Sequence, residues 1–114
     1  MQDFEVIWTQ NAEFDLEVII EYIKIDSIDK AKNIFFEIKE VSKKLNILPS
    51  RNRIVPEFQQ IGITKYREMI YKRWRIIYKI DEHKVYVLVV ADTSRNLEDI
   101  LFQRLIQNNT KLDK

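Results

Sequence analysis

The spacing of apolar residues changes from a helical period to a strand period near the middle of the chain. In residues 12–45, apolar side chains recur every three or four positions, which is typical of amphipathic helices. In residues 65–91 they alternate or run continuously and are rich in Tyr, Ile and Val, as in β-strands. A chain of this kind is expected to pack its helices on one face of an antiparallel sheet.

The first half predicts a short strand followed by a helical hairpin. Residues 4–8 alternate as a strand does, and Thr9 is placed to cap the helix that follows. Ser27 interrupts the helical pattern and is placed to cap a second helix, which we expect to end at Pro49. Because the link between the two helices is so short, they must pack antiparallel.

The second half predicts an antiparallel meander. Strands are expected at residues 65–71, 74–80 and 85–91, with turns at 72–73 and 81–84. The last of these strands is apolar on both faces, which predicts a central position in the sheet.

Together these elements predict an α+β fold. It has an N-terminal strand, an antiparallel two-helix hairpin packed on a three- to four-stranded antiparallel sheet, and a C-terminal helix beginning near Leu97. The length places residues 1–114 in a single domain, whose polar tail from about residue 107 is expected to fray. Residues 51–63 lack a helical period, so we expect a loop there with room for a short edge strand.

Composition excludes several classes of site. The chain has no cysteine, which excludes disulfides, thiolate nucleophiles and Cys-ligated zinc. One histidine, His83, excludes a histidine metal cluster, and one glycine excludes glycine-rich phosphate loops. We therefore expect no metal and no cofactor. No apolar run approaches the roughly 20 residues that span a bilayer, and no leader pattern opens the chain, so we expect a cytoplasmic protein.

Charge is distributed unevenly, although the net charge is only +1. Residues 1–50 carry ten acidic and six basic side chains, whereas residues 51–75 carry two acidic and seven basic ones. The seven are Arg51, Arg53, Lys65, Arg67, Lys72, Arg73 and Arg75. Because guanidinium groups suit bidentate contact with phosphate or carboxylate, this segment indicates a polyanionic or acidic partner. The same positive charge equally fits an exposed hairpin whose charged side chains only keep the protein soluble.

Five short motifs follow one another in a characteristic order. They are Val6-Ile7-Trp8-Thr9, Asp26-Ser27, Arg53-Ile54-Val55-Pro56-Glu57, Tyr66-Arg67-Glu68 with Trp74-Arg75-Ile76-Ile77-Tyr78, and Asp92-Thr93-Ser94-Arg95. In this order, over about residues 4–106, they resemble the RelE/ParE toxins of bacterial type II toxin–antitoxin modules. The opening motif is similar to the ParE-type start.

The resemblance implies a toxin that a cognate antitoxin neutralises. RelE-type members cleave mRNA in the ribosomal A site, and ParE-type members poison DNA gyrase without comparable cleavage chemistry. Both modes use the same scaffold, so the fold alone does not choose between them. The ParE-like opening favours gyrase as the target, with the ribosome and its mRNA as the alternative. A non-toxic binding module of the same fold is a third possibility, and an oligomer is compatible with the sequence.

If the chain is a ribonuclease, the resemblance implies roles for three residues. Glu57 matches a position that serves as a general base, and Arg67 and Arg75 would stabilise the charge on the phosphate. The alternative for Glu57 is a surface position with an ion pair to a neighbouring arginine of the same loop. For Arg67 and Arg75 the alternative is a strand arginine whose aliphatic stem covers apolar surface while its charged end reaches water. The remaining candidates for nucleic-acid or target binding are Arg51, Arg53, Lys65, Lys72, Arg73 and Arg95.

A proton donor for RNA cleavage is not evident. His83 falls in a predicted turn, and no tyrosine follows Tyr86, which argues against the ribonuclease alternative. Trp74 and Tyr78 are spaced as strand residues that face a core, which we favour over base stacking.

The predicted strand register bears on the two central arginines. A two-residue turn at 72–73 pairs Ile70 with Arg75, which places Arg67 and Arg75 on opposite faces unless a bulge intervenes. The functional hypothesis, in contrast, expects the guanidinium groups of the central segment to line one cavity.

Overall fold

The computed structural model describes residues 3–94, 97–99 and 102–104 of the chain. Its elements are β1 (Glu5–Trp8), α1 (Gln10–Asp26), α2 (Ile28–Lys43), α3 (Pro56–Gln59), β2 (Tyr66–Tyr71), β3 (Trp74–Asp81) and β4 (Lys84–Asp92). Residues 97–99 and 102–104 are helical, at the place of the expected C-terminal helix. The predicted α+β fold is confirmed. The tail from residue 107 lies outside the described residues.

Both predicted helix caps are present. The Thr9 hydroxyl accepts a hydrogen bond from the Ala12 amide at 3.2 Å, and the Ser27 hydroxyl accepts one from the Lys30 amide at 3.1 Å. Each cap satisfies one of the amide groups that a helix start leaves without a partner. Since Ser27 alone separates α1 from α2, the helices form a tight hairpin.

The second helix is shorter than expected. It ends at Lys43 rather than at Pro49, and a 3₁₀ turn follows at Lys44–Asn46. Leu48 has a φ of 49°, a left-handed conformation that a right-handed helix cannot contain. Pro49 therefore lies beyond the end of α2, where it begins a second 3₁₀ turn at Pro49–Arg51.

The expected loop at residues 51–63 contains two ordered features. Ile54 forms an antiparallel bridge with Arg67, at the place of the expected short edge strand. The short helix α3, which the sequence did not predict, begins at Pro56, where the fixed φ of proline suits a first helical turn.

The sheet has the strand order β1-β4-β3-β2. The strands β2, β3 and β4 are antiparallel, whereas β1 lies parallel to β4, so the sheet is mixed and not wholly antiparallel. A parallel pair needs a long connection, which the helices and the first two meander strands provide. The predicted central position of β4 is confirmed.

Apolar side chains are buried on both faces of the sheet. Trp74, Ile76 and Tyr78 pack under the helical hairpin, which confirms their expected place in the core. The other face has a second cluster that includes Phe58 of α3 and Leu97. The pairing of β3 with β4 shifts by one residue between Ile77 and Tyr78, which is a β-bulge in β4. The second face carries the candidate site.

Candidate functional site

Four charged side chains meet on the face of the sheet opposite the helical hairpin. Arg53 and Glu57 come from the segment before β2, Glu68 from β2 and Arg75 from β3. The segment reaches the sheet because it adds a short antiparallel bridge to the outer edge of β2. We call these four side chains the Arg–Glu cluster.

Arg75 is the centre of the Arg–Glu cluster. Its Nη1 and Nη2 donate to the two carboxylate oxygens of Glu57, each at 2.8 Å, and its Nε donates to Glu68 Oε1 at 2.6 Å. Only 9% of the Arg75 side chain is exposed. Bidentate, charge-assisted contacts of this kind are among the strongest hydrogen bonds in proteins. Three of the five N–H groups of the Arg75 guanidinium therefore bind the two carboxylates.

Glu68 links the two arginines of the cluster. Its side chain is 0% exposed, and its Oε2 accepts from both Nε and Nη2 of Arg53 at 2.6 Å. Arg53 itself is 59% exposed, so the outer end of its guanidinium faces solvent. With two arginines and two glutamates, the cluster has no net charge. Among the described residues, no buried side-chain nitrogen or oxygen lacks a hydrogen-bond partner.

The ion pairs shift the protonation equilibria of the cluster. The hydrogen bonds from Arg75 hold the pKa of Glu57 below its ordinary value, against the opposing effect of partial burial. The same contacts, with Glu57 first and Glu68 second, raise the pKa of Arg75. A general base works best with a pKa near the working pH. At neutral pH Glu57 is thus an ionised partner of Arg75, which makes it poorly suited to act as a general base.

Arg67 lies on the other face of the sheet. The observed register pairs Ile70 with Arg75 and Arg67 with Tyr78, which confirms the predicted separation of the two arginines. Arg67 Nη1 donates to the backbone oxygen of Asn52 at 2.6 Å, and so holds the loop against the sheet. The expectation that all central guanidinium groups line one cavity is therefore wrong, because Arg67 and Arg75 are separated by the sheet itself.

The remaining basic candidates have exposed side chains. Lys72 pairs with Glu37 at 2.8 Å and Arg73 pairs with Asp92 at 2.6 Å, and both cations are more than half exposed. We call the exposed members of the central segment the exposed cations; they are Arg51, Arg53, Lys65, Lys72 and Arg73. Arg95 lies outside the described residues. Exposed ion pairs contribute about 0–1 kcal/mol each, so Lys72 and Arg73 can exchange their partners at low cost.

His83 is remote from the Arg–Glu cluster. It lies in the turn between β3 and β4, exposed, with its ring centroid 6.3 Å from that of Phe4. The six residue steps of β3 from Arg75 to Asp81 span roughly 20 Å at a rise of about 3.3 Å per residue. The histidine therefore supplies no proton donor to the cluster.

Sequence reasoning missed the part that Glu68 plays. Its pairing with Ile77 places it on an apolar face, where a carboxylate is expensive to bury without partners. The alternation of side chains along β2 offered a signal. Glu68 is two residues from Tyr66 and therefore lies on the same face, and Tyr66 is buried in the second cluster of apolar side chains. A glutamate at a core position of a strand indicates a buried ion pair.

The comparisons identify the family of this fold and site. A family model described as the ParE toxin of the type II toxin-antitoxin system parDE matches residues 6–97. The chain belongs to the ParE toxin family. The RelE/ParE resemblance of the five motifs is thereby confirmed, and the match spans β1 to β4 with the whole Arg–Glu cluster of this ParE-family chain.

Two solved structures share the fold of the ParE-family chain. The first is the chromosomal ParDE toxin–antitoxin system from P. aeruginosa, with a TM-score of 0.65 and 17% identity over 78% of this chain and 95% of that one. The second is the RelBE2 toxin–antitoxin complex from Mycobacterium tuberculosis, with a TM-score of 0.60 and 20% identity over 83% and 97%. Among curated proteins, none matches the chain significantly.

The described helices of the ParE-family chain are not of the membrane-spanning type. None within the described ranges combines the length and the apolar character that a bilayer crossing requires. The same ranges contain no group of three or more His, Cys, Asp or Glu side chains placed to hold a metal ion.

Proposed function

We propose that this ParE-family toxin arrests growth by binding DNA gyrase through its exposed cations, without cleaving RNA. The observation that carries the proposal is that the guanidinium group of Arg75 is bound to the carboxylates of Glu57 and Glu68. RNA cleavage without a metal needs a base, a cation for the developing phosphate charge and an acid. In the Arg–Glu cluster the base and the cation candidates are bound to each other.

The exposed cations support a binding mode of action. Their side chains reach solvent from the loop and from the β2–β3 turn, and the ion pairs of Lys72 and Arg73 are weak. A protein partner with an acidic surface would replace these intramolecular contacts and gain several charge-assisted hydrogen bonds. Binding of this kind needs no proton transfer and no open active site.

We propose that a cognate antitoxin neutralises the toxin. Both structural neighbours are described as toxin–antitoxin systems or complexes, and the matched family is one of type II toxins. An antitoxin segment that places carboxylates on the exposed cations would compete directly with the target. The gene for such a small protein, with an acidic tail, is expected beside the toxin gene; a locus without one contradicts this proposal.

Two parallel assays test the mode of action. The purified toxin is added to a gyrase supercoiling reaction and, separately, to ribosomes programmed with mRNA. We expect inhibition of supercoiling and no mRNA cleavage. Cleavage on the ribosome without an effect on gyrase would instead support the RelE-like alternative. Activity in neither assay, with no growth arrest on expression, would support the non-toxic binding module.

A pair of double variants tests the binding surface. Lys65→Ala with Arg73→Ala removes two exposed cations, and Lys43→Ala with Lys44→Ala removes two exposed lysines from the end of the helical hairpin. We expect the first variant to need about tenfold more toxin for the same inhibition, a loss of about 1.4 kcal/mol. The second variant should inhibit as the wild type does. Equal loss in both would show that only total charge matters.

A further inference from the structure

Leu48 combines a strained backbone with an exposed apolar side chain. Its φ and ψ are 49° and 52°, in the left-handed region that residues with a Cβ rarely adopt. Leu48 is 50% exposed, and the preceding Ile47 is 41% exposed. We call these two adjacent residues the 47–48 tip.

The strain at Leu48 is not that of a hairpin turn. Two other non-glycine residues in the described part of the chain have a positive φ: Lys72 at 53°, between β2 and β3, and Glu82 at 57°, between β3 and β4. Two-residue hairpin turns require this conformation, because their twist must match that of the strands. Leu48 lies in no hairpin, and glycine or asparagine would turn the chain there at lower cost. A leucine at this position therefore indicates a role for its side chain.

The backbone that follows the 47–48 tip is held in place by the core. The hydroxyl of Tyr78, which is fully buried, donates to the backbone oxygen of Pro49 at 2.5 Å and accepts from the side-chain amide of Asn52 at 3.0 Å. Arg67 in turn donates to the backbone oxygen of Asn52 at 2.6 Å. The tip is therefore preformed, so little conformational entropy is lost when it binds.

The chain around the 47–48 tip carries no negative charge. No carboxylate occurs between Glu40 and Glu57. Arg51, which is exposed, follows the tip by one 3₁₀ turn. A complementary partner must therefore offer an apolar cavity for the tip and negatively charged acceptor groups at the border of that cavity.

We propose that the 47–48 tip inserts into an apolar cavity, bordered by carboxylates, on the protein target of the toxin. This inference rests on the proposed function and adds an apolar anchor to the charge contacts of the exposed cations. Burial of the tip would remove apolar surface from water and slow dissociation, whereas the exposed cations mainly speed association. Single-stranded nucleic acid is a poorer occupant, because it is bound by stacking on aromatic rings and the tip has none.

Three variants of Leu48 separate the effect of its side chain from that of its backbone. Leu48→Asn and Leu48→Gly remove the apolar side chain and suit the left-handed conformation, whereas Leu48→Met keeps an apolar side chain of similar volume. Binding to immobilised gyrase is measured by biolayer interferometry. We expect Leu48→Asn and Leu48→Gly to dissociate about tenfold faster than the wild type, with an unchanged association rate. Leu48→Met should dissociate as the wild type does.

Two control variants carry the same kinds of change elsewhere. Glu82→Gly relieves left-handed strain in the β3–β4 turn, and Ile61→Asn removes an apolar side chain from another loop, where Ile61 is 55% exposed. Both should bind gyrase with the rates of the wild type.

Unfolding in urea distinguishes a binding role of Leu48 from a structural one. Leu48→Asn and Leu48→Gly should unfold at the same or a higher urea concentration than the wild type, because relief of strain offsets the loss of a half-exposed side chain. Faster dissociation of a protein that is no less stable then reports a lost contact with gyrase.

Three results would overturn the inference. One is unchanged dissociation of Leu48→Asn, and another is faster dissociation together with a lower urea midpoint, which would give Leu48 a structural role. The third is binding of duplex DNA by the toxin alone that Leu48→Asn abolishes, which would make the tip a wedge between base pairs.

Failure of the proposed function is recognised separately. A wild type that does not bind gyrase contradicts the choice of target, and growth arrest on expression then decides about the 47–48 tip. Arrest that Leu48→Asn weakens supports the anchor, and arrest that Leu48→Asn leaves intact overturns it. A wild type that neither binds gyrase nor arrests growth overturns both proposals.

Discussion

Glu68 is a fully buried carboxylate that two arginines neutralise. Burial of a charge costs several kcal/mol, and the charge-assisted contacts from Arg53 and Arg75 offset that cost. The contact with Glu68 also holds Arg75 in a position where its guanidinium forms a second ion pair, with Glu57. At the residue scale, the cluster stabilises the fold and its charges cancel, so the exposed cations outside it, Arg51, Lys65, Lys72 and Arg73, remain for binding.

Replacement of Glu68 should therefore destabilise the fold strongly. Glu68→Ala leaves Arg75 buried with one carboxylate fewer, and we expect a loss of about 3–5 kcal/mol in the free energy of unfolding, measured in urea. Glu40→Ala, which breaks an exposed ion pair with Lys43, should cost less than about 1 kcal/mol. Equal effects in the two variants would show that the buried network contributes nothing beyond a surface pair.

The ion pair of Glu57 should make stability depend on pH. Its pKa is lowered in the folded state, so the pair stabilises the fold above the unfolded-state pKa and loses this effect as the pH falls through the folded-state pKa. Between about pH 6 and about pH 3, the wild type should thus lose more stability than Glu57→Gln, as urea midpoints would report. Parallel curves for the two proteins would contradict the pairing.

The sequence predicted part of this site. The two-residue turn fixed the register, and with it the placement of Arg67 and Arg75 on opposite faces. An ion pair of Glu57 was one of two alternatives that its position left open, but the expected partner was an arginine of the loop and the observed one is Arg75 of β3. Arg75 was not predictable as the ion-pair partner of Glu57. The approach of Arg53 and Glu57 to β2 depends on tertiary contacts of a loop with no periodic pattern.

At the element scale, Thr9 joins β1, α1 and β4. Its hydroxyl caps α1 and also donates to the backbone oxygen of Val87 at 2.9 Å, while its amide donates to the same oxygen at 3.1 Å. The cap was evident from the sequence, but the contact with β4 was not. Local capping chemistry follows from neighbouring residues, whereas the parallel pairing of β1 with β4 joins residues almost eighty positions apart.

The two helix caps should differ in their contribution to stability. Thr9→Val keeps the shape of the side chain but removes the cap and the bond to Val87, and we expect a cost of about 2 kcal/mol. Ser27→Ala removes a cap alone and should cost about 1 kcal/mol. Denaturant unfolding followed by circular dichroism measures both. A larger loss for Ser27→Ala would mean that the contact with β4 adds nothing.

The residue at which α2 ends could not be predicted from the spacing of apolar residues. Apolar residues continue at helical spacing to Leu45, which is buried, so the periodic pattern persists beyond the helix that ends at Lys43. The left-handed Leu48 redirects the chain towards the loop. Periodicity reports which side chains face the core, and it does not report whether the backbone remains α-helical.

At the scale of the whole molecule, the net charge of +1 conceals two surfaces of opposite character. The outer side of α1 is acidic and apolar, and the loop and the hairpin turn carry the exposed cations. This separation was visible in the sequence as a difference between the first half and the central segment.

Association with gyrase should be sensitive to salt. Long-range attraction between the exposed cations and an acidic partner raises the association rate, and salt screens it. From about 0.05 M to about 0.2 M salt, we expect the association rate to fall several-fold while the dissociation rate changes little. Biolayer interferometry with immobilised gyrase measures both rates. Association that is independent of salt would contradict a cationic binding surface.

The pKa of Glu57 distinguishes an ionised partner of Arg75 from a general base. Carbon-13 NMR of the labelled Glu57 carboxyl, assigned with Glu57→Gln, measures its pKa in the intact protein. We expect a pKa below the ordinary glutamate value of 4.5. A pKa near neutrality would contradict it, because the carboxylate would then be free of Arg75 and poised to accept a proton.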